Sequence, residues 1–235
     1  MATRRGFTLI ELIVMVVVLL VLLGFLFGYA VRAAREKARR LHCSNSQCQI
    51  SLAMIQYAGD HDDAFMPLVD AAGNEVPAVA KDGTLSTLPA RSAFAVLLKQ
   101  GYLTTNIVFI CPASADRIPA HFPTDYKNAA LKDLVLQESE CSYGWDPTKN
   151  HTADATCAIL ADKPSKDVSK VNEGTPANNS DNHGKAGQTV SYNTGIWKWS
   201  ATPKPEAGDD PDIYTGSTAP GKEYWKSTWD AKIIR

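Results

Sequence analysis

Gly6-Phe7-Thr8-Leu9-Ile10-Glu11, followed by the apolar run Leu12 to Val31, decides how this chain is read. A leader from Met1 to Gly6 precedes it and carries Arg4 and Arg5. About 20 apolar residues in a helix span the ~30 Å hydrocarbon core of a bilayer. Glu11 is the one carboxylate between Phe7 and Val31. An ionisable group at bilayer depth costs roughly 2.5–3.5 kcal/mol even on lenient scales. A plain anchor would do better with leucine there, so Glu11 requires a partner or a task.

The string Arg4-Arg5-Gly6-Phe7-Thr8-Leu9-Ile10-Glu11-Leu12 resembles the amino terminus of type IV pilins and type II secretion pseudopilins, the proteins with class III signal peptides. The resemblance implies that prepilin peptidase cuts after Gly6, that the new N-terminal Phe7 is methylated, and that Glu11 is the assembly glutamate. The physical logic agrees. Cleavage leaves a positive amine on Phe7, and in a bundle of subunits the Glu11 carboxylate of one copy can pair with the amine of its neighbour. A low dielectric strengthens that attraction, and pairing removes the penalty of a lone charge. Copies out of register lose the pairing, so Glu11 sets axial position while the apolar surface supplies adhesion. Two plainer readings stand beside this one. A secretory signal peptide would be cut after Ala30 in Gly28-Tyr29-Ala30, but its apolar region runs about 7–15 residues and this one is longer. An uncleaved anchor is the other.

Arg32, Arg35, Lys37, Arg39 and Arg40 follow the apolar run, opposed by Glu36. By the positive-inside tendency alone that side would face the cytoplasm. The leader, read in the family by a cytoplasm-facing peptidase, and the downstream cysteines, which suit an oxidising compartment, argue the reverse. The expected topology is therefore a single-pass inner-membrane protein with a cytoplasmic N-terminus and a periplasmic head. The basic cluster would then meet lipid headgroups or acidic faces of neighbouring subunits.

The formal net charge of the 235 residues is −1, which excludes a nucleic-acid binder by charge. All 13 prolines fall after residue 58, so the head should be loop-rich with short strands. From Arg32 to Ala58 there is neither proline nor glycine, and Ala, Arg, Lys and Gln favour helix. Leu41, Cys48, Leu52 and Ile55 suggest one apolar stripe, and Gly59 suggests a C-terminal stop. One helix from Phe7 to Ala58 would be about 78 Å long. The expected organisation is a leader at 1–6, a transmembrane and assembly helix at 7–31, its amphipathic continuation at 32–58, and a globular head at 59–235, the lollipop shape that the resemblance implies.

Two further segments are similar to a subgroup of pseudopilin-like proteins. Cys43-Ser44-Asn45 leads into a helix ending Tyr57-Ala58-Gly59-Asp60-His61-Asp62-Asp63, and Asn182-His183-Gly184 precedes a strand. Thr194-Gly195 stands where that subgroup has Asp-Gly, one residue further from His183. Asp60, Asp62 and Asp63 lack the glycine and distal glutamate of an EF-hand and read as an acidic turn, with calcium binding the alternative. His183 reads as a loop hydrogen-bonding residue, with metal binding the alternative. Asp209, Asp210 and Asp212 sit where major pseudopilins carry a calcium loop. The likeness is in acidity and position alone, and calcium through these three carboxylates is a hypothesis; no other cofactor is expected.

A second helix is expected at Ser92 to Gln100 with Phe94, Leu97 and Leu98 inward and Gly101 as terminator. Strands are expected at Ile107 to Ile110, Thr156 to Ala161, Gln188 to Tyr192 and Gly195 to Trp199, the last two joined by a tight turn at Asn193-Thr194. The fold class is α+β, a small antiparallel sheet against the long helix. Trp197, Trp199, Trp225 and Trp229 read as core and loop packing, with a sugar-binding or subunit surface the alternative.

The five cysteines are Cys43, Cys48, Cys111, Cys141 and Cys157, an odd and irregular set that is poor for structural zinc. Cys43 and Cys48 lie on different helix faces and should not bridge. An oxidised head can pair Cys43 with Cys111 and Cys141 with Cys157, one of the pairings that four cysteines allow. No Ser-His-Asp set, phosphate loop or metalloprotease helix is present, so no enzyme is expected. The resemblance implies a filament subunit of a type II secretion pseudopilus. Its partners would be copies of itself, other pilin-like subunits, prepilin peptidase, the inner-membrane assembly platform and that platform's ATPase. A type IV pilus subunit or a membrane-anchored surface-binding protein is the alternative.

Overall fold

The computed structural model describes residues 7–205, 210–216, 226–227 and 231–234. The chain divides into two compact units, residues 1–39 and residues 40–235. Helix α1 (Leu9–Asp60) has 52 residues, of which those up to Arg39 belong to the first unit and the rest to the second. In the first unit every described residue from Phe7 to Val31 is exposed, and the apolar segment is long enough to cross a membrane. The helix passes through Gly59 rather than stopping there. It ends where Asp62 and Asp63 take φ values of 52° and 60°, and the Asp63 N–H turns back to donate to the Ala58 carbonyl at 2.9 Å. Aspartate tolerates this left-handed backbone better than most residues, so it does the work expected of glycine.

In the second unit, the buried face of α1 is not the expected stripe. Leu41 and Leu52 are 63 % and 49 % exposed. Cys43, Gln47, Ile50, Met54 and Tyr57, at helical spacing, face the head instead, with Ser44, Ser51 and Ala58 beside them. Serine and glutamine in the buried row hide its period from a hydrophobicity reading.

The head places a short hairpin, β1 (Leu68–Val69) and β2 (Glu75–Val76), ahead of helix α2 (Phe94–Gln100). A single 3-10 turn at Ala90–Ala93 leads into α2, and Gly101 closes it with φ 84°, as expected. Phe94, Leu97 and Leu98 are fully buried. The expected strand at Ile107 to Ile110 is instead a 3-10 turn, Ile107–Phe109, closed by the Phe109 N–H to Asn106 O and the Ile110 N–H to Ile107 O. A short apolar run carries no period that separates a buried turn from a strand. Here burial comes from Phe109 stacking on Phe94 with centroids 5.0 Å apart.

The main sheet has four antiparallel strands in the order β3 (Tyr143–Trp145), β4 (Ala158–Asp162), β5 (Gln188–Tyr192) and β6 (Trp197–Ser200). β4 is buried along its whole length, as its unbroken apolar run suggested. An irregularity between Ala158 and Leu160 puts Ile159 and Leu160 into the core shared with α1, while Ala158 and Ala161 enter a second cluster with Val190, Ile213 and Ile233. Four residues, Asn193 to Ile196, join β5 to β6 rather than a two-residue turn. The Gly195 N–H donates to Tyr192 O at 2.8 Å, and Gly195 takes the left-handed position with φ 76°. Ile234 bridges Trp145 on β3, bringing the C-terminal segment to that edge.

Candidate functional site

Thr8 and Glu11 open α1 with a reciprocal cap. The Thr8 amide and hydroxyl donate to Glu11 Oε2 at 2.9 and 2.8 Å, and the Glu11 amide donates to Thr8 Oγ1 at 3.3 Å. This is a Thr-x-x-Glu capping box, in which two otherwise orphaned helix donors are satisfied. The carboxylate is therefore not without a partner in the single chain. Both Thr8 bonds fall on Oε2, and the other oxygen takes part in neither. Phe7 is 72 % exposed beside it. The Thr-x-x-Glu spacing of a capping box is present in the sequence itself, inside an apolar context that also suits intersubunit pairing. Gly6, the residue before the expected cut, lies outside the described residues.

A second constellation lies between α1 and the main sheet. Cys43, on the buried face of the helix, is disulfide-bonded to Cys111, which follows the Ile107–Phe109 turn. His183 Nε2 sits 3.6 Å from Cys111 Sγ and 3.9 Å from Asp162 Oδ2. The side chains of Asp162 and His183 are wholly removed from solvent. Asp162, the last residue of β4, accepts from the Thr189 amide at 2.7 Å, Asn182 Nδ2 at 3.0 Å and Gln47 Nε2 at 3.4 Å. Burial pushes its carboxyl above the usual carboxylate range, against the pull of His183 and these donors. Gln47 also donates to Thr189 O and accepts from Ser191 Oγ, completing a polar seam between helix and sheet. The two segments singled out as subgroup-like, Cys43-Ser44-Asn45 and Asn182-His183-Gly184, thus meet in space. Asp162 and Gln47 carried no sequence signal, because each reads as an ordinary polar residue at the edge of an element.

The other expected sites are placed as follows. Cys141 and Cys157 are free, buried thiols, not the second disulfide. Tyr143 pairs with Asp162 and Trp145 with Leu160, so Cys141 lies beyond one end of the β3–β4 ladder and Cys157 beyond the other. At ~3.4 Å per residue that separation is several times the 4.4–6.8 Å between Cα atoms that a disulfide needs. Cys48 is free and half-buried. Asp209 lies outside the described residues. Asp210 accepts from the amides of Asp212 and Ala231, and Asp212 accepts from the amides of Gly174 and Tyr214 and from Asn178 Nδ2. Both carboxylates are buried and tie loops together. Asp60 accepts from the Tyr102 hydroxyl at 2.7 Å. Trp197 is 38 % exposed, Trp199 is half-buried, and Trp225 and Trp229 lie outside the described residues. The central aromatic of the core is Trp145, whose Nε1 donates to Ala90 O at 2.8 Å.

Residues 32–208 match one family model, described as a protein of unknown function (DUF1559). The match begins where the apolar run ends and takes in the Cys43, Cys111, Asp162 and His183 constellation. No curated protein and no solved structure matches the chain.

Proposed function

The chain belongs to the DUF1559 family, which is found in pilin-like, prepilin-type proteins, and on that premise we propose that it is a pilin-like assembly subunit rather than an enzyme. The observation that carries the reading is Glu11 at the head of a helix whose described residues from Phe7 to Val31 are all exposed. Such a surface is stable only in lipid or against other helices, and a carboxylate beside it marks a position where helices must register. In this reading prepilin peptidase removes residues 1–6 and Phe7 gains a free, then methylated, amine. The Glu11 carboxylate of one copy meets the Phe7 amine of the next. The inner-membrane platform and its ATPase lift the subunit into a type II secretion pseudopilus, with the head in the periplasm. Exposed Leu41 and Leu52 extend the adhesive surface along the head end of the helix.

The test is expression with a prepilin peptidase and an assembly platform. The mature protein should begin at Phe7 by N-terminal sequencing and should enter sheared filaments. A chain that keeps Met1, or one that begins beyond Ala30, overturns the reading in favour of an uncleaved anchor or a secreted protein.

A further inference from the structure

Cys43, Cys111, Asp162 and His183 each offer one ligand atom, all four atoms lying within 4.8 Å of one another and all four residues buried. With Zn–S of about 2.3 Å and Zn–N or Zn–O of about 2.0–2.2 Å, a tetrahedral ion has edges of roughly 3.3–3.8 Å between its ligand atoms. The 3.6 Å from Cys111 Sγ to His183 Nε2 and the 3.9 Å from His183 Nε2 to Asp162 Oδ2 already approach those edges. The two sulfurs, covalently joined, stand closer than a shared ion requires. We propose that the dithiol form of this cluster is a zinc site, bound by the thiolates of Cys43 and Cys111, His183 Nε2 and Asp162 Oδ2, and that the Cys43–Cys111 disulfide is its ion-free state.

The surroundings are those of a metal site. Ligating carboxylates and thiolates are held by outer hydrogen bonds that fix their direction. Asp162 has three such donors, Thr189 N, Asn182 Nδ2 and Gln47 Nε2, and the Ala113 amide points at Cys111 Sγ at 3.4 Å. A purely structural disulfide needs no imidazole and no buried carboxylate beside it. Two sulfurs, one nitrogen and one oxygen suit zinc, whereas calcium and magnesium take oxygen. The ligands come from α1, the segment after the Ile107–Phe109 turn, β4 and the loop before β5, so the ion would fasten helix to sheet as the disulfide does.

The chemistry balances. On the reduced chain, zinc replaces the thiol protons of Cys43 and Cys111, forming two Zn–S bonds and releasing two protons. A disulfide-bearing oxidant then takes two electrons from the pair, the S–S bond forms, and the ion leaves. In reverse, a dithiol reductant attacks one sulfur, resolves the mixed disulfide with its second thiol, is itself oxidised, and restores the pair.

The test uses the full chain in detergent micelles with the half-buried thiol removed by Cys48→Ala, reduced with a phosphine and titrated with Co²⁺ as the probe. One equivalent should give thiolate-to-cobalt charge-transfer absorption and tetrahedral ligand-field bands, both displaced by one equivalent of Zn²⁺ and both absent from the oxidised chain. His183→Gln should keep the thiolate bands while weakening zinc binding by about tenfold or more. Cys111→Ser should lose about half the charge-transfer intensity. A reduced, folded chain without these bands overturns the proposal, as do bands unchanged in Cys111→Ser. Where reduction unfolds the head, zinc must restore its folded circular dichroism, and a head that stays unfolded with zinc present also overturns it.

Discussion

The guanidinium of Arg40 lies 3.9 Å over the ring of Trp199, clasping α1 to β6 of the main sheet. Trp199 in turn meets His183 edge-on, with centroids 5.1 Å apart. Gly187 makes room for it, since a Cβ there would fall 2.7 Å from Trp199 Cζ2. A partly desolvated cation over an indole is worth about 0.5–2 kcal/mol. Trp199→Ala should therefore destabilise the head by more than Arg40→Ala, because it also uncovers His183, and Trp199→Phe should fall between them. Urea unfolding of the three variants gives the order.

Glu11 has two separable tasks, capping its helix and offering a charge. Glu11→Gln keeps an oxygen for the Thr8 donors and removes the charge; Glu11→Ala removes both. If the charge is what registers subunits, both variants should leave the membrane fraction intact and be missing from sheared filaments. Thr8→Val, which loses the hydroxyl and keeps the charge, should still assemble. Filaments containing Glu11→Gln at wild-type yield would assign the residue to capping alone.

Burial pushes the thiols of Cys141 and Cys157 up to about 12 from 9.0. Tyr143 and Tyr214 are raised in the same way. A value raised in the folded state favours the neutral group there, so this contribution is complete below about pH 9 and is lost as pH climbs through the folded values. Stability should fall from about pH 9 upward, and Cys141→Ala should make the fall shallower in denaturant titrations. At neutral pH iodoacetamide should modify Cys48 and spare the two buried thiols, as peptide mass mapping would show.

Asp212 collects the Gly174 and Tyr214 amides and Asn178 Nδ2 on one buried carboxylate. Asp212→Ala strands these donors and should cost about 2–4 kcal/mol, read as a lowered urea midpoint. If the carboxylate serves only this purpose, added calcium should leave the wild-type midpoint unchanged.

What the sequence made legible was what depends on local pattern: the apolar helix, the buried run of β4, the β5–β6 hairpin and the Gly101 stop. The α1 face against the head is not legible in hydropathy because Gln47 and Ser51 occupy it, and the burial of Gln47 rests on Asp162 and Ser191, more than a hundred residues away. β3 leaves no mark in the sequence for a similar reason. Tyr143-Gly144-Trp145 is too short to show alternation, and Gly144, paired with Ala161, must be glycine because a Cβ there would fall 2.5 Å from Ile234 O. The buried Cys, His and Asp constellation was half visible, through Cys43 and His183. Its carboxylate emerged only when β4 had a place in the sheet.

The bond between Cys43 and Cys111, 68 positions apart, also sets how tension travels through the molecule. A pull arriving along the helix at Cys43 crosses through the disulfide to Cys111, and the polypeptide between them forms a closed ring outside that covalent path. The first hairpin, α2 and the aromatic stack of Phe94 on Phe109 all lie within that ring, sheltered from any hauling of the helix. Stretching force would be felt first by the strands that follow.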